Sequence, residues 1–141
     1  KIPIMGKIMK DAGYISLKRG DKDSGKECIQ KAKDWLKKGM SVFLFPEGTR
    51  SIDGTIGEFK AGAFKLAIET GTPIIPITIE GSKDVLPKND WIFRHKTRMQ
   101  VKVGTPIEVN NYSIEKLDEL REYTKAVIQK NYNELKSTLH T

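Results

Sequence analysis

Apolar positions recur along this chain in two periods, three-to-four residues in some stretches and two in others, and the stretches take turns. Ile4 to Ala12 is short and apolar-rich with Gly13 behind it, which predicts a helix with a C-terminal stop, and Tyr14 to Leu17 then reads as a strand. After a polar loop, Ser24 with Glu27 three residues on forms a capping box. Cys28, Ala32, Trp35 and Leu36 then share one helical stripe up to Gly39. Ser41 to Phe45 is an apolar run closed by Pro46, the pattern of a buried strand. The loop Pro46 to Glu58 holds Gly48, Gly54 and Gly57. Lys60 to Thr70 returns to helical spacing through Ala63, Phe64, Ala67 and Ile68, with Gly71 and Pro73 as terminators. Ile74 to Ile79 predicts a strand whose internal Pro76 requires an edge or a bulge. Gly81 to Asp90 reads as loop, and Met99, Val101 and Val103 alternate as a half-buried strand. A long helix from Ile114 to about Lys136 carries Leu117, Leu120, Thr124, Val127, Ile128 and Leu135 on one face. Strands alternating with helices predict an α/β fold, a mixed, largely parallel sheet flanked by helices, with its site outside the carboxyl ends of the strands.

Composition narrows the class. With 141 residues and an apolar fraction of 38%, the chain reads as one domain, residues 1–141, able to bury roughly 70% of its unfolded surface. The single cysteine, Cys28, closes no intrachain disulfide, and with two histidines it makes a poor zinc set, so no metal is expected. The longest apolar runs, Val42 to Phe45 and Pro73 to Ile77, are too short to span a bilayer. The chain begins at Lys1 and shows no signal peptide, so it reads as a piece of something longer.

Charge is unevenly placed. Residues 1–40 hold 11 Lys or Arg against 5 Asp or Glu, or +6, and the remaining 101 hold 14 against 13, or +1. Such an excess attracts anions, whether nucleic acid, a phosphorylated metabolite or an anionic membrane face; equally, Lys31, Lys33, Lys37 and Lys38 can simply solvate a helix. An aromatic fraction of 8% with no stacking platform argues against nucleic acid. Gly20 to Glu27 nearly spells a phosphate-binding loop. Glu27, however, replaces the magnesium-binding hydroxyl, and Asp21 and Asp23 stand where phosphate oxygens would sit.

The informative segment is Phe45-Pro46-Glu47-Gly48-Thr49-Arg50-Ser51 at the end of a predicted buried strand. Arg50 offers a planar fork of donors for a phosphate, and Gly48 lets backbone N–H groups approach an oxyanion. Glu47 would repel that phosphate, so it either accepts from a hydroxyl of the same ligand or pairs with Arg50 to hold the loop.

Phe45 to Ser51 resembles, at every position, the third signature block of the 1-acylglycerol-3-phosphate acyltransferases, part of the glycerophosphate acyltransferase superfamily of phospholipid synthesis. Gly13 to Arg19 is similar to the second block, with Ser16 where a proline or phenylalanine is usual. Pro73-Ile-Ile-Pro76-Ile77 is similar to the fourth, and Phe59-Lys60, Gly62, Phe64, Gly81-Ser82 and Asp84 also fall as in the family, so the resemblance covers roughly residues 1 to 105. It implies transfer of a fatty acyl group from acyl carrier protein or coenzyme A to the free hydroxyl of lysophosphatidate, giving phosphatidate, with no cofactor beyond the donor. Arg19, Glu47, Gly48, Thr49 and Arg50 would hold the glycerol phosphate, and Pro76 would shape the strand nearest the acyl chain. The family's first block, His-x4-Asp, supplies the base and the carboxylate that orients it. Here His95 is followed at that spacing by Gln100 and His140 is the penultimate residue, so the block is expected upstream of Lys1 and no catalytic residue within the chain. A membrane-associated protein on the cytoplasmic face is expected, meeting anionic lipid through its basic end. Trp91 to Phe93 is either a core strand or an interfacial anchor. The alternative is a non-catalytic module that binds anionic lipid or phosphate.

Overall fold

The structure, a computed structural model, describes residues 3–15, 21–85 and 97–139, and within that span the chain divides into two compact units, residues 1–43 and 44–141. Arg19, His95, His140 and Trp91 to Phe93 lie outside the described residues.

The first unit holds two helices. Helix α1 spans Pro3–Asp11 and stops as expected, with Gly13 at φ 83° and the Tyr14 amide bonded back to the Met9 carbonyl at 2.9 Å. A Cβ at Gly13 would lie 3.0 Å from the Trp35 ring, so this position also admits the neighbouring indole. Tyr14 and Ile15 are not in a strand, and residues 16–20 fall outside the described set. Helix α2 spans Lys22–Lys37. Its N-cap is Asp21 rather than Ser24: the Asp21 carboxylate accepts from the amides of Asp23 (3.0 Å) and Ser24 (3.1 Å), and Glu27 instead pairs with Lys31 at 2.6 Å. Aspartate caps as well as serine, and it stands one turn earlier. Gly25 is therefore inside the helix, and the described part of the near-match, Asp21 to Glu27, is a capped helical turn and not a phosphate-cradling loop; Gly20 lies outside the described residues. Ala32 is fully buried, with Cys28, Trp35 and Leu36 half-buried on the expected stripe.

Residues 41–45 overturn the expected buried strand. They are irregular, and Phe43, Leu44 and Phe45 are exposed. An apolar run becomes a strand only where a neighbouring backbone supplies the ladder, and among the described residues the sheet consists of two other strands.

The second unit builds its core on Phe59, Phe64, Ala67, Ile107, Val109 and Leu120, with the Phe59 and Phe64 rings stacked at 6.2 Å. Helix α3, Ala61–Thr70, ends on Gly71 in the left-handed region, as the sequence predicts. Strand β1, Ile77–Glu80, precedes a short turn of helix, α4, at Ser82–Val85, and pairs antiparallel with β2, Gln100–Val103. A second pairing, Ile74 with Ile107, lies beyond Pro76. From Ile74 to Ile77 the chain takes three steps while its partner takes four from Ile107 to Val103, so the extra residue of the bulge falls in Gly104 to Pro106, and Pro76, buried and without an amide hydrogen, lies opposite it. A 3₁₀ turn at Ile114–Lys116 leads into helix α5, Leu117–Leu139, with Leu120 and Thr124 on its buried face.

The sheet faces the other way from what its alternation suggests. Thr78, Glu80, Gln100 and Lys102 point toward α5, where Lys102 bonds Glu134, while Val101 and Val103 are 54% and 64% exposed. The polar side is the covered one: Thr78 and Glu80 are buried.

Candidate functional site

The segment singled out for its chemistry opens a loop that the fold closes tightly. The Pro46 carbonyl accepts from the Lys60 amide at 2.9 Å, and the adjacent Phe59 anchors that end in the core. At the start, the Gly48 amide bonds the Phe45 carbonyl at 3.1 Å with Gly48 at φ 67°, a turn that a side-chain-bearing residue would enter only under strain. Glu47 then reaches across the loop: its Oε2 accepts from the Gly57 amide at 2.8 Å. Glu47 Oε2 is thus engaged by a backbone donor ten residues on, which ties the start of the loop to its end.

The loop tip is held by a network around Asp53. Its Oδ1 accepts from the hydroxyls of Thr55 (2.7 Å) and Ser51 (3.0 Å) and from the Thr55 amide (2.9 Å), while Ser51 Oγ accepts from the Gly54 amide at 2.9 Å. These donors, the Thr55 hydroxyl foremost, hold the Asp53 carboxyl down at about 2. Lys83 of α4 donates to the Asp53 carbonyl at 3.1 Å, and Glu58 accepts from Lys125 of α5 at 2.5 Å, so both sides of the loop are tied to helices. On that same side of α5, burial raises the Tyr132 hydroxyl's pKa, with the negative charges of Glu80, Asp84 and Asp53 adding to it.

Two glycines let lysines lie close over the loop. A Cβ at Gly48 would fall 2.9 Å from the Lys60 ammonium nitrogen, and one at Gly54 would fall 3.0 Å from Lys83 Cδ. Lys60 therefore brings a second cation beside Glu47 to Arg50, with Thr49 and Arg50 exposed on the same turn. The segment thus offers, within four consecutive residues and Lys60, a carboxylate, a hydroxyl, a guanidinium and an ammonium on a water-accessible loop. It suits a ligand that carries both an anion and a neutral hydroxyl. Pro76 lies at the bulge of the strand pair, away from this turn in sequence.

Lys60 is a candidate residue that chemical reasoning on the sequence passes over; its signal is its place directly after a core phenylalanine at the foot of the loop. Glu80 is another. It is a buried carboxylate whose Oε2 has no hydrogen-bond partner among the described residues. Among those residues, no group of three or more His, Cys, Asp or Glu side chains is arranged to hold a metal, and no helix is long and apolar enough to cross a membrane.

Comparison with known proteins places this loop in context. The sequence profile of the family described as Acyltransferase matches residues 1–80. The chain is 48% identical over 95 residues to a chloroplastic 1-acyl-sn-glycerol-3-phosphate acyltransferase of Brassica napus, covering 67% of this chain and 28% of that one. It is 29% identical over 135 residues to the 1-acyl-sn-glycerol-3-phosphate acyltransferase of Escherichia coli, covering 95% of this chain and 54% of the other. Its fold matches the crystal structure of the 1-acyl-sn-glycerophosphate acyltransferase PlsC of Thermotoga maritima with a TM-score of 0.69 and 35% identity over 77% of this chain and 44% of that one. The chain thus spans about half, or less, of the length of these relatives, and the match carries the expected α/β class.

Proposed function

Because the chain belongs to the acyltransferase family, we propose that it forms the acceptor-binding part of an enzyme that moves a fatty acyl group onto the free hydroxyl of 1-acylglycerol 3-phosphate, giving phosphatidate. The observation that supports this most is the closed loop Pro46 to Lys60, which brings the Lys60 ammonium to Gly48, between Glu47 and the exposed Thr49 and Arg50 in sequence. In this reading Arg50, Thr49 and the Gly48 turn take the phosphate, with Lys60 as a second counter-charge. Glu47 Oε1 accepts from a glycerol hydroxyl while Oε2 keeps the loop closed. Arg19, assigned to the phosphate by the family resemblance, lies outside the described residues, and Pro76 shapes the strand along which the acyl chain lies. Residues 1–141 act as one acyltransferase domain in this reading. The acyl donor is a thioester of acyl carrier protein or coenzyme A, and no metal takes part. The role of these residues is binding and orientation, not proton abstraction.

The same reading gives the basic end a purpose. The acceptor and product reside in a bilayer, and each Lys or Arg near an anionic leaflet contributes on the order of 1 kcal/mol. The +6 of residues 1–40 therefore supports peripheral, salt-sensitive docking on the cytoplasmic face of a membrane.

Binding and turnover of 1-acylglycerol 3-phosphate test the site, measured on the full-length protein that contains this chain. Arg50→Ala should weaken kcat/KM for the acceptor by about 2 kcal/mol or more, the loss of a charge-assisted contact. Arg50→Lys should restore part of it, since an ammonium makes no bidentate contact. Full kcat/KM in both variants, with only thermal stability reduced, would leave the loop a structural feature and overturn the assignment.

A further inference from the structure

The motif loop is anchored differently at its base and at its tip. The base is tied by the backbone bond between Pro46 and Lys60, by the bond from Gly57 to Glu47 and by the Lys125 to Glu58 ion pair, with Phe59 buried in the core beside them. The tip, residues 51–55, is bonded mainly to itself through Asp53 and the Ser51 and Thr55 hydroxyls. Ile52 within it is 76% exposed, so packing does not hold it in place. Among the described residues, one hydrogen bond joins this tip to another element: Lys83 Nζ donates to the Asp53 carbonyl at 3.1 Å.

Both partners of that contact are fitted to it. Strand β1 ends at Glu80, and Gly81, at φ 83°, turns the chain at once into α4, with the Asp84 amide bonded to the Gly81 carbonyl at 3.1 Å. Lys83 is thereby presented at the carboxyl end of β1, where sheets of this class build their sites. On the loop side, Gly54 stands at φ 85°, and the Lys83 stem lies in the space a side chain would take: a Cβ there would fall 3.0 Å from Lys83 Cδ and 3.2 Å from its Nζ. The hydrogen bond and the close approach are separate signs of one fitted contact.

The consequence falls on Arg50. Its N-terminal side follows the Gly48 turn, and its C-terminal side is joined to Ser51, whose hydroxyl donates to Asp53 and accepts from the Gly54 amide. The tip is thus one internally bonded body, and Arg50 leaves from its edge. We propose that Lys83 is a positioning residue for the acceptor: by holding the tip at the end of β1, it sets the direction in which Arg50 meets the acceptor phosphate. This rests on the acceptor-binding reading above and adds to it a residue outside both the motif loop and the matched residues 1–80. Without Lys83 the tip keeps its own bonds but swings as a unit, and a bidentate contact to phosphate depends on direction.

Steady-state kinetics of the full-length protein test this, in a cycle of Lys83→Met, Arg50→Ala and the two together. Lys83→Met should raise KM for lysophosphatidate about threefold to fivefold while kcat and KM for the acyl donor stay within about twofold, the pattern of lost binding that ground and transition states share. Lys83→Arg keeps a cationic donor and should recover most of the loss. Because Lys83 acts through Arg50, Lys83→Met should cost nothing further once Arg50 is replaced by alanine. Circular dichroism should show every variant folded, since Lys83 and Arg50 are both exposed. An unchanged acceptor KM in Lys83→Met, a loss that multiplies with that of Arg50→Ala, or a fall in kcat with the donor KM also raised would each overturn the proposal. A raised acceptor KM in Arg50→Ala would in those events leave the acceptor site standing. An acceptor KM indifferent to Arg50→Ala would overturn the acceptor reading, and this proposal with it.

Discussion

Removing the carboxylate of Glu47 should loosen the motif loop by an amount that its one backbone contact sets. Glu47 Oε2 lies 2.8 Å from the Gly57 amide nitrogen, within the range of a charge-assisted bond. Bonds to a charged group contribute about 1.5–3 kcal/mol, but this one is water-accessible, and water replaces it when lost. The net cost of Glu47→Ala should therefore fall below that range, at about 1 kcal/mol. That corresponds to a roughly fivefold rise in the open population of the loop, and to a urea midpoint shifted down by about 0.5 M at an m-value near 2 kcal/mol/M. Glu47→Gln keeps a neutral acceptor in the same place and should lose about half as much. Hydrogen exchange at the Gly57 amide reads the loop directly: protection should fall about fivefold in Glu47→Ala and less in Glu47→Gln. Unchanged Gly57 exchange and an unmoved midpoint in Glu47→Ala would show that the loop does not depend on this bond. Lysophosphatidate binding should separate the two oxygens, because Glu47→Gln keeps the loop but replaces one acceptor with a donor.

Gly81→Ala should destabilise the second unit by about 3 kcal/mol or more: Gly81 sits at φ 83°, and a Cβ there would lie 2.2 Å from the Arg98 carbonyl oxygen, a backbone atom that moves only by parting the strands. A urea midpoint within error of the parent's would refute this. Leu120→Ala, at a fully buried core position, should cost about 3 kcal/mol and lower the melting temperature by roughly 6–12 °C, which thermal unfolding measures directly. The Asp53 carboxyl, lowered from 3.8 to about 2 by its donors, is a pKa depressed on folding; its contribution to stability is present above about pH 4 and lost as pH falls toward 2. An NMR titration of the Asp53 side chain should find its midpoint near the lower value, and a midpoint near 4 would mean the Ser51 and Thr55 bonds do not persist in solution. Co-sedimentation with anionic vesicles should be strong at low salt and lost at high salt, whereas binding to neutral vesicles that persists in salt would point to an apolar anchor.

Sequence patterns succeeded where the determining interactions are local. Helix α3 carries its own terminator at Gly71, α5 its own apolar stripe, and Pro76 announces the bulge because a proline cannot donate to a ladder. Even the displaced cap of α2 is a local substitution of one good acceptor, Asp21, for another, Ser24. Failures came where a segment depends on what lies opposite. A period of two assigns Val101 and Val103 to one face and Gln100 and Lys102 to the other, but only the α5 partner, Glu134, decides which is covered. Residues 41–45 are apolar enough for a strand, yet a strand is a pairing and not a property of five residues. In the candidate site, the residue types from Glu47 to Arg50 were legible because their chemistry is unusual in one short turn. The Glu47 bond to Gly57 and the approach of Lys60 to Gly48 were not, since both arise from closing a loop whose ends meet only in three dimensions.

That closure bears on how such a loop can change over evolutionary time. The base, Pro46 to Lys60, is a single backbone hydrogen bond set against a buried phenylalanine, while the tip is stitched largely by bonds among Ser51, Asp53, Gly54 and Thr55. Lengthening a loop whose ends are already pinned costs little, about 0.6 kcal/mol for each doubling. The turn that carries Arg50 and the tip beyond it can thus diverge at different rates: residues added between Ser51 and Thr55 could reach toward new acceptors without moving Glu47, Gly48 or Lys60. Variation in acceptor preference among related chains is expected to concentrate there.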